Sequence, residues 1–431
     1  MKRTFFASVL PVMACVFFAG CGRATSPSTT GSSGVKFRAF VSQDVSSSSV
    51  SAGLDIVDAT LDKLLRAPGV SAGGAPGLMA VSNNKLLTLV FDASSNSINA
   101  VNNKQETSAG NVVLPSWTES IAITTDATAG YAAVPNAPVT GQGTGAVERL
   151  NLTNFSLEPP IPVPAVRYIV LSPDNTRLLA FSDNSDTATL ITFTNAGTST
   201  SPNWQLSTTS PPATVTGLNR PVWAVFSADS NTAYILNCGP ECGGTFGSAG
   251  ATVLSLTNNP SLTASGSVVF SGGAADGVLL GTTLYVAGTV PGAPCPATTA
   301  APFCGTLTVI NVSNPSAPEV MNTATITDGY HNRMAITADN QVFVGARNCS
   351  NVNTSTEQRG CLSIYNAATN SVVIGTDLGD VTGIQPVTGR PEVYVVENGE
   401  LRIWDTIKDA LILPQNQIDL VGHAVDVKIV D

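Results

Sequence analysis

An all-β ring of repeated four-stranded units is the fold this sequence predicts. Three observations carry the prediction. A repeat of about 50 residues runs through most of the 431-residue chain. No window of about 12 residues carries a helical apolar stripe. The two ends supply complementary pieces of one unit. Each unit reads as a strand, a polar turn, a second strand, a loop, a third strand and a looser fourth. The second strands contain 37–41 (FRAFV), 86–90 (LLTLV), 131–134 (YAAV), 178–181 (LLAF), 234–236 (YIL), 284–286 (LYV), 342–344 (VFV) and 393–395 (VYV). Their starts lie about 45 to 58 residues apart. Third strands follow, as at 54–58 (LDIVD), 252–256 (TVLSL), 307–311 (LTVIN) and 401–405 (LRIWD). β-Branched runs between Gly, Asn and Asp clusters are strand-and-turn punctuation. The segment 54–66 has a short helical look, but its first half aligns with the other third strands.

Asp126, Asp174, Asp229 and Asp339 fall where a first strand turns into a second, and Asp there hydrogen-bonds its own turn backbone. The segment 424–429 reads as a first strand with no second, and 35–66 as second and third strands with no first. Pairing them closes the ring and removes its open edges. Strand-only repeats of this length are β-propeller blades. Closure by both termini favours eight blades. Seven is the alternative, if one repeat is an insertion or 35–66 packs outside the ring.

The repeat resembles the YVTN-type propellers, relatives of the lactonase-like propellers. Phe40-Val41-Ser42-Gln43 and Tyr285-Val286-Ala287-Gly288 match the name-giving strand, Ser172-Pro173-Asp174-Asn175 the turn and Asp55-Ile56-Val57-Asp58-Ala59 the third strand. The resemblance covers most of 35–431. It implies a fold more than an activity, because one blade architecture serves binders and enzymes alike. The single Trp404-Asp405 dipeptide is not the WD-repeat pattern.

Composition narrows the partners. Charged residues make up 12% of the chain, and 30 acidic against 20 basic residues give a net charge of −10. A nucleic-acid partner, which needs basic patches, is not expected. The N-terminus reads as an address: Lys2 and Arg3 precede an apolar run to Gly20, a secretory signal pattern. Phe18-Ala19-Gly20-Cys21 resembles the lipobox of bacterial lipoproteins, with Phe18 where that family usually has Leu. The resemblance implies cleavage before Cys21, a lipid on its thiol and, with Gly22 following, outer-membrane sorting. The expected organisation is a signal peptide at 1–20, a flexible tether at 21–34 and one domain at 35–431. The mature chain, without Lys2 and Arg3, would carry 18 basic and 30 acidic residues, a net of −12.

Cys15 lies in the signal and Cys21 is the lipid site, which leaves six cysteines in three local pairs. Cys238 pairs with Cys242, Cys295 with Cys304 and Cys349 with Cys361, each between a second and a third strand of successive repeats. Six cysteines allow fifteen connectivities, and topological position favours this one. Export favours disulfides over a thiolate metal site. Each staple closes a short loop, about 2–3 kcal/mol in the chain-entropy model. The stapled loops share one face of the ring and would give a rigid binding platform.

The candidate chemistry is sparse. His331 and His423 each precede a first strand, which places both near the channel mouth with Glu119, Asp276, Asp328, Asp380, Arg167 and Arg220. Imidazoles with carboxylates there suit acid–base work or a divalent metal. No G-x-S-x-G elbow occurs. Gly141–Gly145 lacks a strand-to-helix context for phosphate. Asp183-Asn184-Ser185-Asp186 lacks the Gly and Glu of a calcium loop. The sequence favours a monomeric, non-catalytic, envelope-anchored binder of a protein or glycan, with no cofactor. The alternative is a lactonase-like or metal-assisted hydrolase at the channel mouth.

Overall fold

The protein is described here from a computed structural model, over residues 32–44, 53–65, 69–244, 248–257, 262–412 and 416–431. The signal peptide, Cys21 and the tether as far as residue 31 lie outside the described residues. Eight antiparallel sheets form the blades of a closed ring. The first strands are, in blade order, His423–Ile429, Pro76–Val81, Ser120–Ile123, Val166–Leu171, Pro221–Phe226, Asp276–Leu280, Tyr330–Ile336 and Val381–Pro386. Each touches the first strand on either side, and that inner circle lines the axis. The expected second strands all occupy the second position, from Arg38–Asp44 in blade 1 to Glu392–Glu397 in blade 8. In blades 4 and 8 two short strands share the outer position, Trp204–Leu206 with Ala213–Val215 and Ala410–Leu411 with Gln417–Ile418.

Burial explains why the second and third strands are the most legible in the sequence. Both their faces meet neighbouring blades, so they read as continuous apolar runs such as Leu178–Phe181 and Val342–Val344. The outer strands Thr107–Val113 and Glu319–Thr327 expose alternate side chains and are correspondingly polar. Turn chemistry repeats with the blades. Asp126 accepts the Thr128 N–H at 2.9 Å and the Thr124 hydroxyl at 2.7 Å; Asp174 and Asp229 do the same for Thr176 with Ser172 and for Asn231 with Ser227. The following residue takes a left-handed conformation, as at Asn175 (φ 63°) and Asn340 (φ 66°), which Asn tolerates best after Gly. The segment at 54–66 is not a helix: Leu54–Asp58 is the third strand of blade 1 and Lys63–Leu64 its short fourth.

Ring closure is the predicted one. His423–Ile429 pairs antiparallel with Arg38–Asp44, with Ala39 opposite Ile429 and Val41 opposite Val427. A buried ionic clasp reinforces it. Arg38, 2% exposed, bonds through Nε and its backbone N to Asp431 (2.8 Å each) and through Nη1 to Glu106 and the Asn103 carbonyl (2.7 Å each). Lys85 Nζ donates to the Ile429 carbonyl at 2.8 Å. Ser32 and Ser33 hydroxyls also donate to Glu106. Glu106 sits in a third-to-fourth-strand turn, so the chain enters blade 1 on the face opposite the stapled loops.

Candidate functional site

The site is built by irregularities in the inner strands. Register slips between Pro76 and Met79, Val166 and Tyr168, Pro221 and Trp223, His331 and Arg333, and Val381 and Gly383. An extra residue at such a bulge is re-aimed away from the sheet. Here Leu78, Arg167, Val222 and Asn332 occupy the bulges and line one chamber of about 680 Å³ on the axis. Loops that open on the stapled face complete it, with Glu119, Asp183, Arg220, Cys242, Asp276 and Asn348 on the wall. Cys242 belongs to the first staple, so that stapled loop is part of the channel mouth.

Two electrostatic zones divide the chamber. In the first, Arg167 is saturated: Nε lies 2.9 Å and Nη2 2.7 Å from Glu119 Oε2, Nη1 lies 3.3 Å from Asp183, and the guanidinium stacks 5.3 Å from the Trp117 ring. Arg220 is held against Asp186. In the second zone, the Arg333 side chain donates, among the described residues, only to carbonyls, at Thr382 (2.7 Å) and Asn332 (2.7 Å). The Arg347 side chain beside it makes no hydrogen bond or ion pair among the described residues, and its Nε is buried without a partner. Burial, then the nearby Arg333 charge, lower the Arg347 pKa, with Glu119 and Asp380 opposing from beyond ion-pair distance. Asp276 is buried and accepts its own neighbour's N–H at Gly277 (2.8 Å). Burial pushes its carboxyl up to about 7, with Arg333 opposing. Between the zones stands an aromatic wall. Tyr168 and Tyr330 hydroxyls lie 2.5 Å apart, and Tyr168 meets Trp223 edge-on at 6.4 Å. Burial and then Tyr168 raise the Tyr330 phenol.

The predicted candidates divide. Glu119, Asp276, Arg167 and Arg220 line the chamber; His331, His423, Asp328 and Asp380 do not. His331 is fully buried between blades, with Nε2 donating to the Thr327 carbonyl at 3.0 Å and burial pulling its pKa to about 4. His423 is exposed at the start of the closing strand, beside Gly399. Asp328 accepts the Ser350 N–H and hydroxyl (2.8 and 2.6 Å), and Asp380 accepts the Asn348 N–H (2.7 Å); both hold the loops of the seventh blade. Equal spacing ahead of a turn placed both imidazoles at strand starts, but pleat and bulge turn them away from the axis. The segment from Asp183 to Asp186 forms a turn with Asn184 left-handed (φ 54°), and its two carboxylates also serve Arg167 and Arg220. Among the described residues no group of three or more His, Cys, Asp or Glu side chains is placed to hold a metal.

All three disulfides form as paired in the sequence. The first closes a short 3-10 turn, Gly239–Cys242, that carries Glu241. The Glu241 carboxyl packs against the Gly273–Ala274 and Gly288–Thr289 backbone of the next blade, and burial raises it to about 8. The staple thereby docks one blade's loop onto its neighbour.

This architecture is a shared one. A dihydro-heme d1 dehydrogenase, NirN, solved in complex with DHE, matches 91% of this chain and 74% of its own at 13% identity and a TM-score of 0.57. The hydrazine synthase of Kuenenia stuttgartiensis matches 77% of this chain and 95% of its own, at 14% identity and 0.54. The periplasmic gluconolactonase PpgL of Pseudomonas aeruginosa matches 92% and 99%, at 14% and 0.50. At these identities the likeness is one of fold. No family model and no curated protein sequence matches the chain. The propeller residues that sequence reasoning missed are Arg333, Arg347, Tyr168, Tyr330 and Trp223. Their available signal is position: Tyr168, Trp223, Tyr330 and Arg333 lie at or just after the start of a first strand, and Arg347 ends a second strand.

Proposed function

We propose that this protein is a non-catalytic binding propeller of the cell envelope, and that its chamber takes the acidic group of a glycan or protein partner. The observation that carries the reading is Arg347. A half-buried guanidinium without a counter-ion, beside Arg333, is costly unless an anion completes it. This positive corner lies in a chain of net charge −10, so it is local design rather than bulk charge. The Tyr168–Trp223 wall suits the face of a sugar or an aromatic residue. The stapled loops at the rim would select the remainder of the partner. A lipid on Cys21 would hold the tether to a membrane, with the outer membrane the expected one. Because Ser32 and Ser33 dock on the opposite face, the chamber would then point away from that membrane. Calorimetric titration with uronic acids and with their neutral amides tests the reading: the acids should bind and the amides should not. Equal binding of both would refute it.

One observation favours a second reading, a lactonase-like hydrolase: Asp276, with a carboxyl poised near neutrality beside two phenols, has the equipment of a general base. A lactone panel with and without chelator separates the two. Turnover lost in Asp276→Asn would favour the enzyme.

Asp276 also predicts a pH dependence for binding. Its pKa in the folded protein, about 7, lies above that of an exposed carboxyl, so below pH 7 the group is neutral and the corner more positive. Anion affinity should fall as pH rises through 7, by roughly three- to tenfold between pH 6 and 8. Asp276→Asn should flatten that step in the same titration. The same sign holds for stability: the buried carboxyl costs progressively more from about pH 4 to about pH 7, where it ionises.

A further inference from the structure

The second staple differs from the other two in what surrounds it. Arg359, on the loop closed by Cys349–Cys361, reaches across to the loop of the sixth blade. Its Nη1 lies 3.6 Å from Cys295 Sγ and its Nη2 3.3 Å from Cys304 Sγ, so the guanidinium fork straddles the disulfide. Its remaining bonds go to neutral acceptors, the Thr299 hydroxyl (3.3 Å) and the Ile326 carbonyl (3.0 Å). Arg359 is 4% exposed, and its Nε is buried without a partner. Asp328 and Glu357 act on it only at a distance. Glu357 is occupied instead by the Thr299 hydroxyl and the Ala300 N–H. A buried cation therefore faces two neutral sulfurs, which are weak acceptors.

A thiolate in that position would supply the missing counter-charge. Stabilising the thiolates relative to the disulfide makes the bond easier to reduce, and a lowered leaving-group pKa speeds exchange. The two sulfurs also differ in access: Cys304 is buried, whereas Cys295 is partly open to solvent. The other staples lack the facing cation, although Cys238–Cys242 shares the difference in access, Cys242 being partly open to solvent. Cys238 and Cys361 are fully buried, Cys349 and Cys361 belong to the apolar core between blades 7 and 8, and among the described residues no cationic side chain bonds to a sulfur of either.

We infer that Cys295–Cys304 is a thiol-exchange site, opened by a dithiol reductant while the other two staples stay closed. A thiolate of the dithiol attacks Cys295 Sγ. The Cys295–Cys304 bond breaks, a mixed disulfide forms on Cys295, and the electron pair leaves on Cys304 Sγ beside Arg359 Nη2. The second thiol of the reductant loses its proton to water and attacks the reductant's own sulfur in the mixed disulfide. That closes the reductant's disulfide and releases Cys295 as a thiolate beside Arg359 Nη1. Two electrons reach the protein, and the dithiol is oxidised by two. Opening frees the 296–303 segment on the stapled face of the ring. The inference stands independently of the binding reading.

The test equilibrates the oxidised full-length protein with graded ratios of reduced to oxidised dithiothreitol, followed by alkylation and peptide mass mapping. Cys295 and Cys304 should open at a reductant ratio at least about tenfold lower than either other pair. Arg359→Gln should shift that ratio about tenfold towards the closed form, and Arg359→Lys, which keeps charge but loses the fork, should fall between. In the opened wild type, the pH profile of Cys295 alkylation should centre below the usual thiol value of about 8.5. Three pairs opening together, another pair opening first, or an Arg359→Gln equilibrium equal to wild type would overturn the inference. Should Arg359→Gln not fold, the Lys variant and the wild-type profile decide, and a profile centred at or above the ordinary value overturns it.

Discussion

Arg347→Met should lower affinity for an acidic ligand by about 10- to 100-fold and leave the fold as stable as before, or more so. A hydrogen bond to a charged group contributes roughly 1.5–3 kcal/mol, which is the affinity at stake. In the free protein the same guanidinium is a liability. Its Nε is buried without a partner, it lies near Arg333, and burial already lowers its pKa. Replacing a charge that no direct ion pair holds by an apolar side chain of similar length removes a desolvation cost. Affinity and stability should therefore move in opposite directions, a signature that a merely structural arginine would not produce. Calorimetric titration and thermal unfolding on the same samples check it. A variant that loses stability in parallel with affinity would mean that Arg347 serves the fold.

Arg38→Met should have the opposite profile. Arg38 holds Asp431 and Glu106 at the ring closure, and its removal leaves both carboxylates in place without their cation. Breaking a buried pair in this way costs roughly 3–5 kcal/mol. The blade that closes the ring is the one assembled from both ends of the chain, so the loss falls on the longest-range contact in the fold. The expected result is a lower urea midpoint with ligand affinity unchanged at low denaturant, since Arg38 and the chamber lie on opposite faces. An unchanged midpoint would show that strand pairing alone, Ala39 with Ile429 and Val41 with Val427, holds the ring shut.

The two variants separate what was legible in the sequence from what was not. The second strands could be read residue by residue because burial on both faces imposes continuous apolar runs such as 178–181 and 342–344. The three staples were legible because each lies within one loop, and the turn aspartates because Asp126, Asp174 and Asp229 satisfy their own backbone. All of these are local. Glu119, Asp276, Arg167 and Arg220 were found from their place ahead of a first strand. Asp328 and Asp380 share that place, yet they hold the loop of the seventh blade and do not themselves line the chamber. His331 and His423 had the right address in the repeat and the wrong direction in space.

Arg333 and Arg347 were missed for a related reason. A charged residue at the edge of a strand looks like a solvated one until its neighbours are known. Arg347 ends the second strand of blade 7, and the bulge between His331 and Arg333 in the adjoining first strand brings Arg333 beside it.

The sequence by itself determined the repeat, the closure by both termini and the pairing of the cysteines, because each follows from alternation, burial or proximity along the chain. Tertiary structure alone decided the chamber. Its wall is drawn mainly from blades 3 to 7, from Glu119 to Asn348, and its direction is set by single-residue bulges that shift no apolar pattern. The same holds for Arg359 over Cys295 and Cys304: the charge and the sulfurs lie in different blades, and only packing puts a cation without a counter-ion against a disulfide.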